Sequence, residues 1–378
     1  MATGDHAKLG KGSRRDGKDT GSRRVRSSGD STARGSTRES LDDFEVSLVL
    51  GGGNALGAYH LGACEALLGA GWEPGWLVGA SIGAVTAAII AGNEPSQRLE
   101  RLRSFWEIAR QVDPAPIWSI PEQFRARFNN MHALAALMLG RPGLFGRHFP
   151  GELSVLPGMP GDRSIMDHRQ MAGTLDALID FDRLNDGDKR VSFVAVDMEA
   201  GEEVWFDNTE IRITAEHLLA CTALAPLFPP VEIDGRLLCD AGIANNLPFD
   251  RVFRDVPAAN QLCIAVDLFC ASHGRPETLD ETVARMQDLN FAMQARRSAA
   301  ALTRERDLLR KHEPDSHSSI LAHLAYHPPG TQRTLKALDF SARSLRERAE
   351  KGAEDMGRML QRIEDAPRDQ PVCYLGTD

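Results

Sequence analysis

The chain has 378 residues, a formal net charge of -9 and 26% charged residues. This length is sufficient for a full α/β core, and the acidic balance argues against a dedicated nucleic-acid-binding protein, which is usually basic. Because the sequence contains neither an apolar stretch long enough to span a membrane nor a signal sequence with an apolar core, we expect a cytoplasmic protein without a transmembrane segment.

The first 42 residues differ in composition from the rest of the chain. They are rich in Gly, Ser, Arg, Lys, Asp and Thr and contain few aliphatic side chains. Such a segment buries too little apolar surface to offset its ordering entropy, so we expect a disordered basic arm. The arginines at 23, 24 and 26 would contact anionic lipid or nucleic acid, or the arm is simply a solvated tail.

A glycine-rich turn follows the first predicted strand. Val46–Leu50 is a short apolar strand pattern, residues 51–57 have the sequence GGGNALG, and Ala58–Leu68 is helical in character. Backbone N–H groups of such a turn converge without an obstructing Cβ, which suits a bound anion. The anion is either the pyrophosphate of a dinucleotide or the oxyanion of acyl transfer, and the glycines alone do not choose between them.

The next strand–helix unit has the pattern of a nucleophile elbow. Residues 77–92 have the sequence LVGASIGAVTAAIIAG, in which an apolar strand breaks at GASIG and resumes as a small-residue helix. A serine on this sharp turn needs glycine two residues before and two after it. Its hydroxyl lies near the helix N-terminus, which favours a developing negative charge. Since both turns should open at the same edge of a parallel sheet, this pattern favours the oxyanion hole.

Residues 113–166 lose periodicity and accumulate Pro, Gly and aromatic side chains, so we expect an irregular insertion. A long apolar insertion beside a catalytic turn is either a lid or substrate wall, or a peripheral subdomain with its own core. The sequence leaves both open. Further along, Val191–Met198 and Glu203–Phe206 predict a β-hairpin.

Asp240 ends a second chemically informative stretch. Val231–Cys239 predicts two strands that turn at Asp234 and Gly235, and Asp240 falls at the end of the second strand. A carboxylate there either caps a loop or enters the site. A serine nucleophile needs a base, usually a histidine, yet no histidine after the elbow stands at the end of an apolar strand. A direct dyad, with Asp240 as the base for the serine, is therefore a hypothesis to test beside the loop-capping role.

Three ordered blocks resemble those of the patatin-like phospholipase family: GGGNALG, GASIG about 28 residues later, and DAG followed by NNLP. The resemblance runs from about Glu45 to Leu268. It implies that Ser81 is the nucleophile and that Asp240 is its partner in a dyad without histidine. The implied oxyanion hole consists of main-chain N–H groups at Gly52, Gly53, Asn54 and Ile82. The supporting motif positions are Gly57, Gly79, Gly83, Gly242, Asn246 and Pro248.

The chain departs from the family pattern at three positions. Asn54 stands where a third glycine is usual, although asparagine tolerates left-handed backbone angles better than most residues. Leu56 stands where many members have Arg or Lys, so that charge is absent for an anionic substrate. Ala241 replaces the usual glycine after the aspartate. None of these changes removes a reacting group.

The C-terminal part predicts a long helix at Glu277–Lys311, a strand at Ser319–Tyr326 and a second helix at Leu338–Ile363. It resembles the extra C-terminal segment of a bacterial branch of the family. An Arg-rich helix of this kind either lies on a phospholipid surface or pairs with local acids and packs on the core. The six cysteines, scattered without a C-x-x-C pair, are typical of reduced core residues.

These observations predict a three-layer α/β/α fold with a central, mostly parallel sheet and a helical C-terminal segment. We expect a disordered arm over 1–42, a catalytic domain over 43–268 and a mainly helical segment over 269–378. The resemblance implies hydrolysis of a carboxylic ester of a lipid, phospholipid or acylglycerol, through an acyl-enzyme. We expect no metal or cofactor, and no calcium requirement because dense acidic loops are missing.

The expected partners are a lipid or acyl-ester substrate and a membrane or lipid surface contacted peripherally, and no nucleic acid is expected. Three alternatives remain. The first is an esterase or thioesterase acting on a neutral acyl ester or a storage polyester, motivated by Leu56. The second is a non-catalytic lipid-binding or partner-docking protein of the same fold. The third is a dinucleotide-binding domain, disfavoured because no acid stands at a strand end about 20 residues after the glycines.

Overall fold

A computed structural model of the chain describes residues 41–111, 121–254, 258–313, 316–367 and 372–377. The arm predicted over 1–42 lies almost entirely outside the described residues. The strands are β1 Phe44–Leu50, β2 Trp76–Ala80, β3 Gly146–Arg147, β4 Met166–Asp167, β5 Arg190–Asp197, β6 Glu203–Asp207, β7 Val231–Ile233, β8 Arg236–Asp240, β9 Asn260–Asp267, β10 Ser319–Ala325 and β11 Val372–Gly376. The helices are α1 Ala58–Gly69, α2 Ile82–Ala91, α3 Arg98–Ala109, α4 Glu122–Leu139, α5 Met171–Leu178, α6 Phe181–Asp186, α7 Ala215–Thr222, α8 Asp250–Phe253, α9 Leu279–His312 and α10 Ala342–Glu364.

The main sheet is mixed and mostly parallel. Its strand order is β11-β10-β9-β1-β2-β5-β8-β7, and β6 also pairs with β5. The neighbours from β11 to β5 are parallel, whereas β6 and β8 run antiparallel to β5. β1 lies between β2 and β9, so the turns that follow β1 and β2 meet at one edge. This arrangement confirms the predicted fold class.

Helices cover both faces of the sheet. Leu48 and Leu50 of β1 belong to the larger core, which includes residues of α1, α2 and α10. Val49 points to the other face and belongs to a second cluster with residues of α8 and α9. Because side chains alternate across a strand, a central strand covered on both faces is apolar at nearly every position. The short apolar runs of the sequence follow from this burial.

The C-terminal part continues the same sheet. β10 pairs in parallel with β9, and β11 pairs in parallel with β10. The described residues between 41 and 377 belong to one compact unit, and β10 and β11 extend the sheet that carries Ser81. All six cysteines lie in the described part of the chain, where they are buried and form no disulfide. Among the described helices, none has the length and apolar character needed to cross a membrane.

α10 packs closely on α1. A Cβ added to Gly62 would lie 1.7 Å from the Ala349 carbonyl oxygen, and one added to Gly352 would lie 2.1 Å from the Tyr59 carbonyl oxygen. The Tyr59 hydroxyl also donates to the Asp355 carboxylate at 2.9 Å. Glycine on each helix therefore permits a backbone approach that any side chain would block.

The expectation of an irregular insertion is wrong for α4, an 18-residue helix at Glu122–Leu139. Its buried face carries Ala133, Ala136 and the polar Arg125 and Asn129, whereas large apolar side chains face solvent. This reversal of the usual amphipathic pattern hides the helical period from a sequence reading. Residues 112–120, which precede α4, lie outside the described residues.

Candidate active site

Ser81 stands on a sharp turn between β2 and α2. Its backbone has φ 54° and ψ -128°, a region that L-residues rarely adopt and that marks a constrained site. The flanking glycines are sterically required. A Cβ on Gly79 would lie 2.5 Å from the Ala84 nitrogen, and one on Gly83 would lie 2.0 Å from the Leu50 carbonyl oxygen. The turn therefore has the geometry of a nucleophile elbow.

We expect Gly83→Ala to lower the free energy of unfolding by about 3 kcal/mol or more, because its methyl group would displace the β1 backbone. Gly173 in α5 is a matched control, since a Cβ there meets nothing within 4 Å. Gly173→Ala should stabilise the protein by about 0.5–1 kcal/mol through helix propensity. Denaturant unfolding of both variants measures the difference, and equal midpoints would contradict this account of the elbow.

Asp240 lies near Ser81 because the strand that carries it, β8, runs antiparallel to β5, whereas β2 runs parallel to β5. Ala80 of β2 pairs with Val194, and the next residue of β5, Ala195, pairs with Asp240 at the end of the antiparallel strand β8. The Ser81 hydroxyl is close enough to the Asp240 carboxyl to lower its pKa as a hydrogen-bond donor, and both residues line the same cavity. The Gly242 N–H donates to Asp240 Oδ1 at 2.8 Å. The structure thus brings the two predicted reacting groups together at one edge of the sheet.

The carboxyl of Asp240 is only 3% exposed. Burial raises its pKa to about 6, and the hydrogen bonds from Ser81 and Gly242 oppose that rise. A base with a pKa near this value is ionised at neutral pH and still accepts a proton readily. Such a shift in a cavity-lining group is typical of functional sites.

The glycine loop, residues 51–57, lies beside Ser81. One of its predicted oxyanion donors, the Gly52 N–H group, is not available. The Gly52 N–H donates to the Asn246 carbonyl oxygen at 3.0 Å, so it is occupied within the protein and is not an oxyanion donor in this conformation. Gly53, Asn54 and Ile82 line the same cavity as Ser81. The Ile82 N–H belongs to the first turn of α2, where backbone donors have no intrahelical partner. Asn54 has a left-handed φ of 52°.

Asn246 holds the loop in place. Its side-chain amide donates to the Gly52 carbonyl oxygen at 3.2 Å, while its own N–H donates to Gln294 Oε1 of α9 at 2.9 Å. Gln294 in turn donates to the Gly242 carbonyl oxygen at 3.1 Å. A side chain at Gly52 would lie 2.5 Å from Asn246 Oδ1. The loop that follows Asp240 and the glycine loop are therefore joined through Asn246.

The remaining motif positions have structural roles. A Cβ on Gly57 would lie 2.7 Å from the Ile82 side chain, so this glycine lets the two turns approach. Gly242 lines the cavity, and a Cβ there would lie 3.1 Å from both Asp240 Oδ1 and Asn246 Oδ1. Pro248 is buried just before α8.

Ser81 and Asp240 open into an apolar cavity of about 340 Å³. Residues from three parts of the chain form its walls. Besides the dyad and the glycine loop, the lining includes Phe105, Trp106, Leu144, Phe145, Met171, Leu224, Leu227, Phe228, Phe269, Phe291, Leu335, Leu338 and Phe340. Leu144 and Phe145 follow α4, so part of the predicted insertion forms a wall of the cavity. Residues beyond 268, which the sequence reading did not assign to the site, form another wall.

His168 is a cavity-lining histidine that sequence reasoning did not select. Its Nε2 is 3.0 Å from the Leu219 carbonyl oxygen, and its ring stacks on Phe228 with centroids 5.0 Å apart. Burial lowers its pKa below the ordinary histidine value. A neutral ring held by a carbonyl group and an aromatic side chain acts as part of the wall.

The fold and the site together define a class: α/β proteins with a serine on a nucleophile elbow and a buried aspartate beside it. The profile described as patatin-like phospholipase matches residues 48–253, more than half of the chain. A second profile, DUF3734, described as patatin phospholipase, matches residues 282–371. The chain belongs to the patatin-like phospholipase family. Lipid hydrolysis is the activity that the description of this family names.

Relatives from mycobacteria are similar over about half of the chain. Uncharacterized NTE family proteins of Mycobacterium bovis and Mycobacterium tuberculosis are each 26% identical over 205 residues, which is 54% of this chain and 44% of theirs. The chain thus matches less than half of the length of these relatives.

Two solved structures share a broad likeness. VipD from Legionella pneumophila has a TM-score of 0.39 and 16% identity, covering 85% of this chain and 67% of its own. Full-length ExoU from Pseudomonas aeruginosa, in complex with full-length SpcU, has a TM-score of 0.33 and 15% identity, covering 85% and 52%.

Proposed function

We propose that the protein is a serine acyl hydrolase that cleaves carboxylic ester bonds of lipids through a Ser81–Asp240 dyad. The observation that carries the proposal is the proximity of Ser81 to a buried Asp240, whose pKa the serine hydroxyl lowers, at an apolar cavity that both residues line. A serine hydroxyl is a weak nucleophile until a base accepts its proton. Asp240 lies beside that hydroxyl and has a pKa of about 6, so it suits the role of the base without a histidine.

In the proposed reaction, Asp240 accepts the Ser81 proton while the serine oxygen attacks the ester carbonyl carbon. The N–H groups of Gly53, Asn54 and Ile82 stabilise the oxyanion of the tetrahedral intermediate. The intermediate collapses to an acyl-enzyme as Asp240 returns the proton to the leaving alcohol. Water then attacks the acyl carbon with Asp240 as base, and the proton passes back to Ser81 as the fatty acid leaves.

The cavity supports an apolar acyl group as the part of the substrate that is bound there. Its walls are mainly aromatic and aliphatic, and an apolar chain gains free energy when such surfaces are removed from water. Phospholipids, acylglycerols and neutral acyl esters all carry an acyl group that this cavity would bind. The head group is the part of the substrate that distinguishes these classes.

An ester panel with and without EDTA tests the proposed function. The purified chain should release fatty acid from a phospholipid or an acylglycerol, and its rate should be unchanged by EDTA because no step requires a metal. Turnover of thioesters or neutral short esters alone would favour the esterase alternative. Lipid binding without turnover of any ester would favour the non-catalytic alternative and overturn the proposal.

We expect Leu338→Trp to shift the chain-length preference towards short acyl groups. Leu338 lines the cavity, and the larger ring would occupy space that a long chain needs. A difference of one methylene in an apolar pocket changes specificity by about 10–200-fold, so kcat/KM for a long-chain ester should fall at least about 10-fold relative to a butyrate ester. The butyrate ester is the internal control, and an unchanged ratio would show that the chain binds elsewhere.

We also propose that the protein contacts a lipid surface through α4. Phe124, Met131, Leu134 and Met138 lie at helical spacing on its outer face and are 41%, 63%, 51% and 49% exposed. The opposite face of α4 packs near Lys336–Leu338, the segment that contributes to the cavity wall. Exposed apolar side chains along one face of a helix suit the boundary between water and a lipid layer.

The double variant Met131→Gln with Leu134→Gln should lose most binding to vesicles of phosphatidylcholine and phosphatidylglycerol, because each apolar side chain no longer transfers out of water. Leu308→Gln is the matched control, since Leu308 is 56% exposed on α9. Co-sedimentation measures binding, and turnover of a soluble ester should be unchanged in both variants. Equal binding by the double variant and the wild type would exclude this surface.

A further inference from the structure

Arg348 of α10 is fully buried and contacts the glycine loop. Its Nη1 donates to the carbonyl oxygen of Ala55 at 2.9 Å and to that of Asp339 at 2.9 Å. Its Nη2 donates to the carbonyl oxygen of Lys336 at 2.9 Å and to Gln332 Oε1 at 3.1 Å. Its Nε also donates to Gln332 Oε1 at 3.1 Å. Every N–H donor of the guanidinium is therefore used.

The contact at Ala55 lies next to the proposed oxyanion donors. On one side of Gly53 and Asn54, Gly52 is fixed by two hydrogen bonds with Asn246. On the other side, Ala55 is fixed by Arg348. Gly53 and Asn54, the two residues of this loop that line the cavity, thus lie between two anchors.

The same guanidinium fixes a wall of the cavity. It bonds the carbonyl groups of Lys336 and Asp339, and the neighbouring Leu335, Leu338 and Phe340 line the cavity. One buried side chain therefore joins the glycine loop and the wall of the cavity. A planar fork with five donors is suited to this task, whereas an ammonium group has three donors on a flexible stem.

We infer that Arg348 is a positioning residue for the glycine loop, which contains the proposed oxyanion donors. The C-terminal segment thereby forms part of the acyl-transfer site. This inference rests on the proposed function for its catalytic consequence. Arg348 does not line the cavity and acts through Ala55. Displacement of a reacting or stabilising group by about 1 Å costs about 100-fold in rate, and loss of one oxyanion donor costs about 100–1000-fold in kcat.

The test compares Arg348→Met and Arg348→Lys with Arg306→Met. Arg306 is a matched control because it is 2% exposed and its Nη2 donates to the Phe253 carbonyl oxygen at 2.7 Å, on a segment that does not line the cavity. With a soluble ester, Arg348→Met should lower kcat about 100-fold with little change in KM. Arg348→Lys should show a smaller loss, and Arg306→Met should keep the wild-type kcat at a similar melting temperature.

A second readout does not depend on turnover. Hydrogen exchange of the peptide containing Gly51–Gly57 should be faster in Arg348→Met than in Arg306→Met. If the wild type hydrolyses no ester, the proposed function fails, and the exchange comparison still decides whether Arg348 positions the loop. Equal exchange in the two variants, or a kcat for Arg348→Met within about twofold of Arg306→Met, would overturn the inference. If Arg348→Met does not fold, the same comparisons apply to Arg348→Lys.

Discussion

Replacement of Ser81 by alanine is expected to abolish ester hydrolysis. In the proposed reaction the Ser81 oxygen forms the acyl-enzyme, and removal of a nucleophile that acts with its base costs at least about 10⁴-fold in kcat. The fold should persist, because the elbow geometry depends on Gly79 and Gly83 rather than on the hydroxyl. Steady-state turnover of a soluble ester measures the loss, with thermal unfolding as the control for folding. A folded Ser81→Ala variant with more than about one per cent of wild-type kcat would contradict the role of Ser81.

Asp240→Asn is expected to lose activity and gain stability. The amide cannot accept the Ser81 proton, so turnover should fall by at least about 10³-fold. The wild-type carboxylate is buried, and burial raises its pKa to about 6. Holding it ionised at pH 7.5 then costs on the order of 3 kcal/mol relative to the unfolded chain. The neutral amide has no such cost, so the variant should unfold at a higher denaturant concentration.

The size of this stability difference depends on pH. Below about pH 4 the carboxyl is protonated in both the folded and the unfolded chain, so it contributes no difference. As the pH rises from 4 to 6, the unfolded chain loses the proton while the folded protein keeps it, and the stability of the wild type falls. The advantage of Asp240→Asn should therefore grow over this window and level off above about pH 6.

Asp267→Asn is the matched control for the stability measurement. Asp267 is 1% exposed but lies 3.3 Å from His323 Nε2, so its replacement removes a favourable partner and should lower stability.

Wild-type kcat/KM should fall below about pH 6, where Asp240 becomes protonated. A pH profile that is flat from 5 to 8, or an Asp240→Asn variant less stable than the wild type at pH 7.5, would contradict this account.

Local sequence was sufficient to predict the two turns at the site. Gly79 and Gly83 are needed by contacts within a few residues or with the neighbouring strand, so the elbow is encoded in a short pattern. The predicted strands and helices from β5 to α10 also follow local periodicity. The direction of β8 could not be predicted in this way, because pairing with β5 is a long-range choice, and it is this antiparallel pairing that brings Asp240 level with Ser81.

The parts that the sequence did not reveal depend on contacts between distant segments. The Gly52 N–H was predicted to face the oxyanion, but it bonds the Asn246 carbonyl oxygen, 194 positions along the chain. Arg348 lies three residues after Leu345 and four before Gly352, on the buried face of α10. The position of Arg348 on the apolar face of α10 was the available signal for a buried role. The helix contains several other arginines, so this one was not selected from the sequence.

The most direct test of the central claim is the site of reaction with a fluorophosphonate, which forms a bond only with an activated serine. Peptide mass spectrometry of the labelled wild type should locate a single adduct on Ser81. Labelling should be lost in Asp240→Asn, because the serine is then no longer activated. An adduct on another residue, or equal labelling of Ser81 in wild type and Asp240→Asn, would contradict the dyad.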